Sequence, residues 1–385
     1  MRSSAFSHRS LSITVVAAVL AGCGQPQPPI APETMTPFSV PYTQNMQKSV
    51  HFVYVTDYNA DDVSAYAIDA TTGALRQVKG SPFAAGTYPA EVAIDPTGKF
   101  AYVTNSDSSN VSAYAINASS GALTPVQGSP FAAGSAPLGV AIDPTGEFAY
   151  VTNNDSASIS AYAIDAGSGA LTQLKGSPFS AGSYPQEVAI DPAGGFAYVA
   201  NAGSNDVSAY VITARGALKK VKGSPFKADV EPAAVAIDPT GKFVYVTNSG
   251  SFNVSAYAID ARSGALKKVK GSPFASGGNY PYGIAIDPTG RFAYVTHWGE
   301  IRQNVSEFAI SARSGALTPV KRSPFNAASQ PEGIVIDPNG RFAYVTNVAS
   351  WNVSAYAINA SSGALRQVKG SPFKSGETPG GIAIR

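Results

Sequence analysis

The stretch PLGVAIDPTGEFAYVTNNDSASISAYAIDAGSGALTQLKGSPFSAG, Pro137 to Gly182, decides the fold, because near-copies of it fill the chain from His51 to Arg385. Its Tyr-Val pair recurs at Tyr54, Tyr102, Tyr150, Tyr198, Tyr245, Tyr294 and Tyr344, with spacings of 48, 48, 48, 47, 49 and 50 residues. The proline of its SPF word keeps step at Pro82, Pro130, Pro178, Pro225, Pro273, Pro324 and Pro372, so the period belongs to the whole unit. Seven units of strand-like composition at this period predict an all-β fold, a seven-bladed β-propeller.

Each unit reads as four short strands. The run Val140 to Ile142 ends in Asp143-Pro144-Thr145-Gly146, where Pro presets its own φ and Gly accepts a positive one, a tight-turn signal. Phe148 to Thr152 is rich in β-formers, and Ile159 to Ile164 alternates small and bulky residues on its two faces, which suits sheets stacked radially. A fourth strand follows Gly169 and is expected to end at Gly176-Ser177-Pro178. The first unit starts at its second strand, Phe52 to Thr56, and the chain stops on a first strand, Gly381 to Arg385. Pairing the two ends closes the ring with three strands from the N-terminal side and one from the C-terminus, leaving only the outer strands as edges. Lys219, Lys220 and Lys222, then Lys267, Lys268 and Lys270, fall on those outer strands and read as solvated edges that resist aggregation.

Upstream of the repeats, Arg2 and Arg9 precede the apolar run Leu11 to Leu20, followed by Ala21-Gly22-Cys23. A basic segment, a short apolar run and small residues before a cut site form a secretory signal, too short to span a membrane as a helix. Leu20 to Cys23 resembles the lipobox of bacterial lipoproteins, which implies acylation of Cys23, the only cysteine. Residues 24–49 are rich in Pro and Gln and read as a tether of about 30 Å. The expected organisation is a signal peptide over 1–22, a lipidated Cys and tether over 23–49 and the propeller over 50–385, lipid-anchored at the bacterial cell envelope.

Composition fits a large β core: 44% of the 385 residues are hydrophobic, 14% are charged, and the net charge of +2 gives no global drive toward nucleic acid. Gly98-Lys99 and Gly241-Lys242 lack the upstream glycine of a phosphate loop, and no nucleophile elbow, paired-histidine metal site or dinucleotide fingerprint appears. No cofactor and no metal is expected. A monomer is expected, touching the membrane only through its lipid.

The words YVTN, VSAYAID, GAL, GSPF and GVAIDPTG resemble those of the YVTN-repeat, seven-bladed propellers of the lactonase family, which includes 6-phosphogluconolactonase-like and muconate-lactone-cycloisomerase-like proteins. The resemblance covers His51 to Arg385 and implies lactone chemistry or ligand binding at one end of the central channel.

Sites are sought where the units differ, because positions common to all copies serve the blade. Asn ends the YVTN word at Asn105, Asn153, Asn201, Asn248 and Asn347, whereas the first unit has Asp57 and the sixth His297. The sixth also has the longest following loop, with Trp298, Glu300 and Arg302. A neutral imidazole at His297 suits general-base work, with Glu300 or Arg302 to orient it or steady an oxyanion, and it also suits ligand contact or a loop-capping role in place of Asn. Trp298, Trp351, Phe252 and Tyr282 are flat groups for stacking on a sugar face or anchoring a partner, or for loop packing. Glu91 and Glu187 stand where other units have Gly139, Gly283, Gly333 and Gly381; they suit general-base hydrolysis, a divalent cation or plain solvation. A phosphorylated lactone needs basic contacts, yet these loops set Arg302, Lys227 and Lys374 against many carboxylates. The leading expectation is therefore a binding propeller whose acidic, aromatic-rimmed mouth takes a carbohydrate, peptide or protein through Trp298, Trp351, Phe252, Tyr282, Glu91, Glu300 and Asp57. The alternative is a hydrolase for a non-phosphorylated lactone, with His297 or Glu187 activating water and Arg302 stabilising the oxyanion.

Overall fold

A computed structural model describes residues 51–299 and 304–385. Seven antiparallel sheets follow one another around a ring, numbered here by their second strand, so that Phe52–Asp57 lies in blade one. Blade three shows the pattern. Inner strand Pro137–Ile142 pairs with Phe148–Asn153, which pairs with Ser158–Ile164. The turn between the first two is organised by Asp143, whose buried carboxylate accepts from the Phe148 amide at 2.7 Å, while Gly146 takes φ +75°. The same Asp recurs as Asp95, Asp191, Asp238, Asp287 and Asp337, all buried.

The outer position differs from the single strand expected. It is two short strands, Leu171–Gln173 and Phe179–Ser180, which pair with opposite ends of Ser158–Ile164. Between them the Ser177-Pro178 corner leaves the ladder. Ser177 Oγ accepts from the Ala161 amide at 2.9 Å, replacing the carbonyl that a continuous strand would have offered. A serine does the same in each of the other six blades.

Blades stack because the second strand carries a buried tyrosine. Tyr150, Ile159 and Ala161 of blade three pack with Ala197, Val199 and Tyr210 of blade four, and Tyr150 donates its hydroxyl to Gly216 O at 2.8 Å. A bulky ring buried with its hydroxyl satisfied stabilises each joint without an orphaned polar atom. The series runs round the ring and crosses the closure, where Tyr344 donates to Gly73 O at 3.0 Å. Closure follows the expected plan: Pro379–Ile384 is the inner strand of blade one and pairs with Phe52–Asp57.

A second series of joints lies nearer the axis. The threonine of each YVTN word donates to a carbonyl of the next blade's inner strand, as Thr56 does to Ala90 O at 2.9 Å and Thr346 to Gly380 O at 2.7 Å. It also accepts from its own inner strand, as from the Gly139 amide at 2.8 Å. Glycine two residues after the inner-strand proline lets the next blade come closest, since a Cβ at Gly283 would lie 2.3 Å from Glu332 O and one at Gly139 2.7 Å from Gln186 O, although blades two and five make the joint with Glu91 and Ala234 in that place. Blade four has Ala200 in place of the threonine and lacks this joint.

Candidate functional site

The starts of the inner strands converge on the axis and surround a cavity of about 490 Å³ at one end of the channel. Its polar lining comes from Glu91 and Glu187, two residues after their prolines, Tyr282 and Glu332, one residue after theirs, and Gln186. Tyr58 and Trp298 reach it from the loops that follow Asp57 and His297. Among the described residues, no Lys, Arg or His lines it.

Each carboxylate is held by a neutral donor. Glu187 Oε2 accepts from the Val235 amide of blade five at 3.1 Å. Glu91 Oε1 accepts from the Val92 amide at 3.1 Å, and the Ile382 amide of blade one also bonds this carboxylate. The Trp298 indole N–H donates to Glu332. Glycines seat these side chains: a Cβ at Gly381 would lie 2.7 Å from Glu91 Oε1, and one at Gly380 3.3 Å from Glu332 Oε1.

Among the described residues no base stands beside these three acids, and they resist ionisation. Desolvation pushes Glu91 up to about 8, with the charges of Glu187 and Glu332 adding to it. Burial pushes Glu187 and Glu332 up to about 7, opposed by the Val235 amide and the Trp298 indole respectively. The Glu332 charge, burial, and the charges of Glu91 and Glu187 raise Tyr282 and keep its phenol protonated. Near neutral pH the cavity therefore holds carboxyl and carboxylate side by side, the condition for paired acid and base work.

The other sequence candidates fall in three places. His297 has no exposed surface and is no part of the cavity lining. Its Nε2 lies 2.8 Å from Ser306 Oγ, the contact that Asn105 Nδ2 makes with Ser112 Oγ at 2.9 Å. Burial lowers it to about 4, which keeps the ring neutral. The general base expected there is thus a loop-capping group inside blade six. Asp57 is likewise a correction to the expected ligand contact: it is fully buried, and its Oδ1 accepts from Ser375 Oγ at 3.0 Å. Trp351 and Phe252 stay on the mouth face, outside the cavity lining, 49% and 40% exposed. Phe252 meets Tyr280 edge-on at 4.9 Å. Glu300 and Arg302 lie outside the described residues, as does Cys23.

Sequence reading counted Glu332 only among the many carboxylates of this face and missed Tyr58. Neither position has a consensus across the blades against which a departure would show. It named Trp298, Trp351 and Phe252 on the mouth but not Tyr88, Tyr184 and Tyr280 beside them. Tyr88, Tyr184, Phe252, Tyr280, Trp298 and Trp351 are all exposed there, and Tyr58 stacks on Tyr88 at 4.6 Å with ring planes 2° apart. Phe252 and Trp351 sit at φ 55° and 53°, a left-handed conformation at which other blades use Asp61, Ser109 or Ala157, and Tyr88, Tyr184 and Tyr280 sit at φ 54°, 52° and 50° before the inner-strand proline, where other blades use Ala136, Glu231, Gln330 or Thr378. The backbone fixes the turn and leaves the residue type free, and bulky residues are uncommon there.

Fold and site define a closed seven-bladed propeller with an acidic, aromatic-walled axial cavity. The chain belongs to the lactonase family of seven-bladed β-propellers, whose model matches residues 45–135, 130–280 and 272–378. Among solved structures it is similar to a candidate 6-phosphogluconolactonase from Bacteroides fragilis at 19% identity, covering 88% of this chain and 99% of that one with a TM-score of 0.77. It is similar also to a periplasmic gluconolactonase from Pseudomonas aeruginosa at 19% identity, covering 87% and 99% with a TM-score of 0.74. At these identities the likeness shows the fold. No curated protein matches the sequence.

Proposed function

We propose that this protein is a lactone hydrolase acting in the axial cavity on a substrate without a phosphate group. The observation that carries this reading is the set Glu91, Glu187 and Glu332, three neighbouring carboxyl groups held by neutral donors in a cavity with no basic lining among the described residues. Family membership supports the reaction class, and the sign of the cavity speaks against an anionic substrate. Glu187, partly ionised near pH 7, takes a proton from water as the water oxygen bonds to the lactone carbonyl carbon. Tyr282 donates to the carbonyl oxygen as negative charge grows there. When the ring C–O bond breaks, the protonated Glu91 gives its proton to the departing alkoxide. The water and the two carboxyls thus account for every proton.

The test is hydrolysis of glucono-δ-lactone and its 6-phosphate by the purified protein. The neutral lactone should be opened at least tenfold faster than the phosphate, and Glu91→Gln or Glu187→Gln should each lower kcat by about 10²-fold. Because the active form has Glu187 ionised and Glu91 protonated, the rate should rise with pH through about 7 and fall through about 8. Equal rates in both variants and the parent would remove the carboxylates from the reaction. The exposed aromatics of the mouth favour a second reading, binding without turnover, which a lactone that binds and is not opened would support.

A further inference from the structure

We infer that the ligand of the axial cavity is a sugar ring carrying a protonated primary amine. The inference rests on the hydrolytic reading only for the place of the site, and deepens it by naming a substituent of the substrate. The cavity volume of about 490 Å³ suits a small ring rather than a bare ion. Among the described residues, no group of three His, Cys, Asp or Glu side chains is arranged to hold a metal. The walls combine two kinds of surface. Tyr58, Tyr282 and Trp298 supply aromatic faces, on which the C–H face of a pyranose packs and which attract a cation. Glu91, Glu187 and Glu332 supply acceptors, and among the described residues no Lys, Arg or His of the lining competes for them.

The charge balance points the same way. Glu91 feels the charges of both other glutamates, and Tyr282 feels all three. The partners that position the carboxylates are backbone amides and an indole, none of which carries charge. A bound ammonium group supplies the missing positive charge and three N–H donors, one ion against a cluster that otherwise resists ionisation. A phosphate or carboxylate in the same place adds to the repulsion. A neutral hydroxyl satisfies acceptors and leaves the charge unbalanced.

Isothermal titration of the purified full-length protein at pH 7 tests this with D-glucosamine, N-acetyl-D-glucosamine, D-glucose and D-glucose 6-phosphate. Glucosamine should bind about tenfold tighter than glucose and its N-acetyl form, from which the charge is removed, and the phosphate should show no binding. In the Glu91→Gln, Glu187→Gln double variant the preference for the amine should vanish; its melting temperature, unchanged or raised, checks that the variant is folded. Equal affinity for glucosamine and its N-acetyl form, or no binding of glucosamine to the parent, overturns the inference. Neutral lactone turnover without amine preference would sink the inference and keep the hydrolase, whereas amine binding without turnover of any lactone would do the reverse.

Discussion

Asp57 and Asp62 face each other across the first hairpin, where the equivalent pair in five blades begins with an amide that donates. Asn201 Nδ2, for example, donates to Asp206 Oδ1 at 2.7 Å. Two carboxylates make the same contact only if one carries a proton. Burial first, with help from the Asp62 charge and against the Ser64 and Ser375 hydroxyls, pushes Asp57 up to about 7, and burial also raises Asp62. A carboxyl raised in the folded state contributes stability that is present below the ordinary carboxylate range and is lost as pH rises through about 7. Asp57→Asn supplies a permanent donor, so it should match the parent at pH 4 and exceed it by about 1 kcal/mol, roughly 2 °C in melting temperature, at pH 8. Melting curves that shift in parallel across this range would show that no shared proton exists. The same residue shows why the site was only partly legible. Asp57, His297, Glu91 and Glu187 all stood out as departures from a repeat, but a departure marks a changed environment and not exposure. Two of them face the lumen and two are sealed inside blades.

At the scale of the element, blade number and strand order were legible because turn residues and alternation repeat seven times. The split of the outer strand was not, because Gly-Ser-Pro reads equally as a strand end and as a corner within an edge. Only the serine hydroxyl's capture of an amide on the neighbouring strand distinguishes them. The threonine joints were hidden for a similar reason: a residue common to the copies is seen to matter, but its partner in the next blade is not visible from its own unit. Their absence in blade four bears on the site, because Glu187 is the third residue of that blade's inner strand and its side chain reaches across to Val235 instead. Ala200→Thr should restore the joint, with Oγ1 donating to Ala233 O and accepting from the Glu187 amide, as Thr247 does with Tyr282 O and the Ala234 amide. Ala200 is fully buried at a register where the other blades accommodate threonine. The expected gain is about 1 kcal/mol, read by calorimetry as an increase of roughly 2 °C. A lower melting temperature would mean that blade four has repacked around the smaller side chain and that the joint is not transferable.

The whole molecule depends on one strand. Pro379–Ile384 comes last in sequence yet stands at the axis, pairing Ile382, Ala383 and Ile384 with Val55, Tyr54 and Val53. Ile382 is buried with Val53, Val55, Phe342 and Tyr344, so it belongs to the core between blades seven and one. Gly380 O receives Thr346, and the Ile382 amide bonds Glu91, so the same strand completes both the ring of joints and the wall of the cavity. A chain ending at Thr378 loses these contacts together. It also exposes Phe52–Asp57 as a bare apolar edge, a template for pairing with another chain. Removing one buried isoleucine with its ladder and joint bonds should cost at least about 4 kcal/mol, or roughly 10 °C in melting temperature. The truncated protein should aggregate on standing. Added peptide PGGIAIR should raise its melting temperature in a concentration-dependent way, because it binds the folded ring and not the unfolded chain. If the chain ending at Thr378 melted with the parent and stayed monomeric, closure would owe its stability to the tyrosine and threonine joints between blades, and the last strand would serve only the cavity.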